Sequence, residues 1–209
     1  MRKSRVVSLK KFGFGDFIRR NIIILSLCLI FIIGVLTGTL CYVKNQTANH
    51  LASEWFVDYI SFRGSNTFFS VAVNSALSNL LIGLCVFACG CSMIGVALVP
   101  SVFGYLGFKY GSITAYIYAI YQLKGIAFNA IILIPPTAIF LVGLFFASRS
   151  SVEFSFVILK LSLPKSSPRN LSLEFKAYCG KFLIFLSIIV IVSFVDAALC
   201  KWFIKYFNF

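Results

Sequence analysis

Long apolar runs alternate with short charged segments along this chain, and the length of each run decides what it can be. Asn21–Val43 carries no charge over 23 residues, close to the roughly 20 that a helix needs to cross hydrocarbon. A basic region precedes it, as in a secretory signal, but the apolar core is too long for that class and no small-x-small cleavage pattern follows. Leu40 is bulky where a lipoprotein site at Cys41 requires a small residue. The run reads as an uncleaved helix with its amino end in the cytoplasm. Gly64–Phe108 holds 45 residues without a charge. As one helix it would be about 67 Å long, more than twice the hydrocarbon thickness, so two helices fold back at Gly90-Cys91-Ser92. Tyr110–Leu123 is too short for a crossing, whereas Gly125–Ser148, with 24 residues, suffices for one. The last run, Phe182–Cys200, has a single acid, Asp196.

Charge orients these runs. Seven bases lie in the first twenty residues and six more between Arg149 and Lys181. Such clusters mark cytoplasmic segments, so an even number of crossings separates them. Crossings near 22–43, 69–89, 93–109 and 125–148 make four, and the final helix makes five. The expected architecture is all-α, a polytopic transmembrane helical bundle of about five helices. It divides into a basic cytoplasmic leader (1–20), a helical domain (21–200) and a short tail (201–209). An outer loop spans 44–67 and a cytoplasmic loop 149–181. Trp55, Phe56 and Tyr59 would let the outer loop dock as a short interfacial helix. Lys109 and Lys124 fall at the outer face, joined by an aromatic segment lying along it, unless the third helix continues past Lys109 toward Tyr118. Lys201 and Lys205 are exceptions to the charge rule.

Composition agrees with the pattern. Hydrophobic residues make up 60% of the 209 and charged residues only 12%, about half the usual charged share of a soluble domain. A soluble enzyme and a free nucleic-acid-binding protein are excluded. The net charge of +13 then reflects membrane orientation and attraction to anionic lipid.

Catalytic chemistry finds little footing. The chain has one histidine, His50, among polar neighbours, which reads as a solvated loop residue. Phosphate-binding, zinc-protease and nucleophile-elbow motifs are missing from the sequence. Neither a cofactor nor a metal is expected, and Cys89-Gly90-Cys91 is too isolated to be a metal site. Most of the seven cysteines fall in apolar runs, where they serve as small packing residues. The candidate residues are therefore for helix packing or partner contact. Gly34/Gly38 and Gly107/Gly111 have the one-turn spacing that lets helix backbones approach closely; they suit dimerisation or internal packing, with internal packing favoured. Asn74, Asn79, Asn129 and Asp196 are polar residues inside apolar runs, suited to a polar pathway or to helix-to-helix hydrogen bonding, with the latter favoured. Pro135-Pro136 removes two backbone donors and predicts a broken helix buried in the bundle.

These features together resemble the stage II sporulation protein M family of bacterial integral membrane proteins. The resemblance rests on the Gly34-x-x-x-Gly38 helix end, Phe68-Phe69-Ser70-Val71-Ala72-Val73-Asn74 with Asn79, and Gly95 and Pro100. It continues through Gly107-Phe108-Lys109-Tyr110-Gly111, Lys124-Gly125-Ile126, Ile131–Pro135 and Val195-Asp196-Ala197-Ala198, covering roughly residues 20–200. The Arg149–Lys181 connection is longer than in the namesake, and Asp196 stands where many broader members carry Glu. The resemblance implies a non-enzymatic scaffold of the bacterial plasma membrane that recruits peptidoglycan-remodelling partners. Other membrane or wall-associated proteins, the lipid bilayer and a second copy of the chain are the partners in view. The competing reading is a membrane subunit of a transporter whose broken helix lines a polar path.

Overall fold

The computed structural model describes residues 14–44, 46–161, 171–203 and 206. Most of the basic leader, the middle of the Arg149–Lys181 segment and much of the tail lie outside the described residues. Among the described residues the regular structure is entirely helical: α1 (Phe14–Lys44), α2 (Gln46–Ser65), α3 (Phe68–Gly90), α4 (Gly95–Phe128), a wide π turn (Asn129–Leu133), α5 (Ile134–Leu161) and α6 (Leu171–Phe203). Among the described residues four stretches are long and apolar enough to span a membrane: 21–44, 68–90, 95–161 and 171–203. The third has 67 residues and would be about 100 Å long if straight.

It is not straight. At Gln122 the backbone takes φ 46° and ψ −123°, a conformation that suits glycine and strains other residues. The chain doubles back there: a Cβ on Gly125 would run into the carbonyl of Ile117, and Asn129 Nδ2 donates to Tyr118 Oη at 2.9 Å. In a continuous helix those partners would be separated by about 12 and 16 Å. The third stretch is thus a helical hairpin, and the bundle has five long passes.

Side-chain pairings set their directions. Gly34 lies against Gly104 and Gly107, and Gly111 against Val35, so α1 and the first arm of α4 run parallel. One pass, α3, returns between them. Phe140 packs on Phe185 and Phe154 on Phe175, making α5 and α6 antiparallel. Gly83 meets Phe185, while Phe87 stacks on Tyr178 at 5.0 Å, so α3 opposes α6. The expected turn between α3 and α4 forms at 91–94 and is held by Ser155 Oγ donating to the Ser92 carbonyl at 2.6 Å.

Large apolar side chains face outward along the passes, among them Leu29, Ile32, Ile33 and Leu36 of α1, while Asp196, Arg63 and several serines are buried. That inverted distribution belongs to a chain whose outer solvent is hydrocarbon. The protein is a membrane protein of the all-α bundle class.

Four expectations are sharpened or changed. The outer 44–67 segment docks as a helix, as its aromatic residues predict, but a long one packed into the bundle rather than a short interfacial one: α2 runs for 20 residues, and Ala52, Phe56 and Arg63 are buried along one stripe with Tyr59 half-buried between them. The third helix takes the longer of its two expected courses, continuing past Lys109 through residues 110–121, so the aromatic segment stands along the bundle rather than across its face. The 149–181 connection is mostly helix, since α5 reaches Leu161 and α6 starts at Leu171. Pro135-Pro136 does not break its helix. The turn before it widens, with the Ile134 amide donating to the Asn129 carbonyl five residues back, which relieves the crowding of the rings against the preceding turn.

Candidate functional site

At the end of the bundle capped by α2, a charged cluster ties three helices together. Asp196 of α6 is 4% exposed and Arg63 of α2 is 8% exposed. Arg63 Nη2 donates to Asp196 Oδ2 at 2.5 Å and to Ser75 Oγ of α3 at 3.1 Å. Ser75 Oγ in turn donates to Asp196 Oδ2. The other carboxylate oxygen accepts from Tyr59 Oη at 3.3 Å, with the Cys200 thiol 3.8 Å away. The guanidinium carbon lies over the Tyr59 ring, 3.6 Å from its centroid, adding a cation–π contact. Lys201 Nζ donates to the Arg63 and Asn66 carbonyls, satisfying the open carbonyls at the end of α2 and complementing its dipole.

The electrostatics follow from this geometry. Burial raises the pKa of the Tyr59 phenol well above its ordinary range, and Asp196 adds to the rise. For Arg63, burial works toward a lower pKa, but Tyr59 and Asp196 outweigh it and the net shift is upward. The guanidinium therefore stays charged and the phenol neutral across the physiological range. One demand is unmet: Arg63 Nε is buried with no hydrogen-bond partner among the described residues.

Beside the cluster lies a cavity of about 180 Å³. Its wall takes Trp55, Tyr59 and Arg63 from α2, Asn74, Ser75, Ser78 and Asn79 from α3, Lys109 and Tyr110 from α4, Pro136 and Thr137 from α5, and Asp196 from α6. Lys109 sits 12 residues before Tyr121, about 18 Å from that end of its pass. Its Nζ stands 5.7 Å from the centroid of the Trp55 ring.

Four of the residues singled out from sequence, Asn74, Asn79, Pro136 and Asp196, therefore meet around one cavity. The glycines do something else. Gly34, Gly38, Gly107 and Gly111 form the seam between α1 and α4, where any added Cβ would collide with the opposing backbone. Ser112 Oγ donates across that seam to the Gly38 carbonyl at 3.2 Å. Asn129 is spent on Tyr118 inside the α4–α5 hairpin, and half-buried Pro135 does not line the cavity. His50 is exposed and pairs with Glu54 one turn on, at 3.3 Å.

Arg63, Ser75 and Lys109 were not among those singled out. Arg63 was hidden by its place in a polar outer segment expected to dock at the interface, not within the bundle. The stripe Ala52, Phe56, Tyr59, Arg63, at helical spacing, was the available signal. At the far end of the bundle, Glu153 joins Arg149 at 2.8 Å and Lys181 at 3.9 Å, and Arg149 Nη1 donates to Asn21 at 3.3 Å. Comparison with protein-family models, with curated proteins and with solved structures gives no match.

Proposed function

We propose that the chain is a non-enzymatic scaffold of the bacterial plasma membrane, similar to stage II sporulation protein M, which holds wall-remodelling partners at the outer face. The observation that carries this reading is the clamp on α2. Arg63 and Lys201 fix that helix against α3 and α6, so its other face, with Leu51, Glu54, Val57 and Asp58 exposed, is a rigid platform. Both oxygens of Asp196 are engaged, which leaves the acid a fastening rather than a reactive group. The charge distribution supports an amino end in the cytoplasm: Arg149, Lys160, Lys176 and Lys181 belong to the end opposite α2.

The test is photo-crosslinking from Val57 in native membranes. A discrete protein adduct, lost when Arg63→Ala loosens α2, is the expected result; no reproducible adduct would remove the platform from the proposal. Thiol labelling tests the orientation, with Cys179 expected to react only from the cytoplasmic side. The cavity favours a second reading, a membrane subunit of a transporter. Solute flux in proteoliposomes that vanishes with Asp196→Asn would replace the first reading with that one.

A further inference from the structure

The charges around the cavity do not balance. Arg63 and Lys109 bring two cations to its wall and Asp196 one anion, which Arg63 and Ser75 already hold. Among the described residues Lys109 makes no ion pair and no hydrogen bond, and its ammonium stands 5.7 Å from the Trp55 ring. The neighbouring donors are also unspent. Among the described residues Arg63 Nε is buried without a partner, and neither Asn74 nor Asn79 has a hydrogen bond to another described residue. A cation this deep among apolar helices is expensive unless an anion or water accompanies it. The acceptors that would complete Lys109, Arg63, Asn74 and Asn79 are several oxygens carrying about one negative charge. Room exists for them: at about 30 Å³ for each water, 180 Å³ accommodates a small oxyanion with some of its hydration.

From this convergence we infer that the cavity is a binding site for a phosphate-type oxyanion, with Lys109 as its charge partner and Asn74 and Asn79 as donors. The oxyanion has two sources, the headgroup of an anionic phospholipid or free inorganic phosphate. Ser78, exposed on α3 and part of the same wall, stands at the rim where a headgroup would enter from the membrane. The inference is independent of the scaffold proposal, since a platform with a lipid anchored beneath it and a transport subunit both accommodate such a site.

The experiment is thermal unfolding of the full chain in neutral detergent, titrated separately with phosphatidylglycerol, phosphatidylcholine and inorganic phosphate. Native mass spectra of the same samples count bound molecules. Stabilisation and one retained molecule with phosphatidylglycerol, but not with phosphatidylcholine, assigns the headgroup; stabilisation by inorganic phosphate alone assigns the free ion. In either case Lys109→Gln should weaken binding at least tenfold, and Lys124→Gln, at the exposed hairpin tip, should leave it unchanged. Should Lys109→Gln fail to fold, Asn79→Ala provides the second readout, with a smaller loss. Equal stabilisation by both lipids with no response to phosphate, or binding that persists in both cavity variants, would overturn the inference.

Discussion

The α1–α4 seam and the α2–α3–α6 clamp solve one problem by opposite means. Lipid gives helices no hydrophobic reason to associate, so contact must come from close packing or from polar groups that lipid cannot satisfy. Along the seam, Gly34 and Gly38 meet the backbone at Gly104, Gly107 and Phe108, Gly111 meets that of Val35, and the gain is van der Waals contact between backbones. At the clamp, Arg63, Ser75 and Asp196 hold three helices through charge and hydrogen bonds. Packing of the first kind tolerates no added atom, whereas bonding of the second kind tolerates no lost partner. The chain uses the first for two passes running side by side and the second where α2 must be attached to the bundle's end.

The contrast can be broken most strongly at the clamp. Arg63→Ala or Asp196→Ala strands a buried charge and should destabilise the protein by about 3–5 kcal/mol. The paired change Arg63→Met with Asp196→Leu should recover much of that, because it removes both charges together. Unfolding in detergent, followed by tryptophan emission, measures all three; an unmodified midpoint for the single variants would mean the pair contributes nothing. Next comes the seam. Gly38→Ala places a methyl group against the Phe108 carbonyl and should cost about 1–3 kcal/mol through overpacking. Gly64→Ala, with nothing within 4 Å of the added carbon, should be neutral or mildly stabilising, because alanine is the better helix former. Similar midpoints for the two would deny the seam its close packing. The smallest effect belongs to Ser112→Ala, which deletes the 3.2 Å bond to Gly38 and should lower stability by about 1 kcal/mol. A loss as large as that of Arg63→Ala would show that the seam also depends on polar bonding.

How much of this was legible in the sequence follows the same division. The passes were, because uncharged runs of helix-crossing length record the solvent around them. The turn at residues 91–94 was too, because 45 residues exceed one crossing. The glycine motifs and the isolated Asn74, Asn79 and Asp196 stood out for the same reason: each is unusual in an apolar run. The partners of those residues did not. Arg63 sits among ordinary polar residues, and only its helical spacing from Ala52, Phe56 and Tyr59 sets it apart from a solvated arginine. Lys109 seemed to end a helix because a charge usually marks the membrane boundary. Here a polar cavity admits it to the interior, and the pass continues to Tyr121. A reversal between residues 109 and 125 was legible from the charge-free runs on either side, but its place at Gln122 was hidden, since neither glycine nor proline occupies the strained position.

The widened turn at Asn129–Leu133 has one more consequence. It stores an extra residue, so losing one residue inside it would let the turn tighten to α-helical spacing and leave Phe128, which packs toward α2, in step with Pro136 and Phe140. A deletion elsewhere along the pass has no such reserve and would turn everything beyond it by about 100°. The widened turn is consequently a place where this pass could lose a residue and keep its faces, at the cost of bringing the proline rings back against the preceding turn.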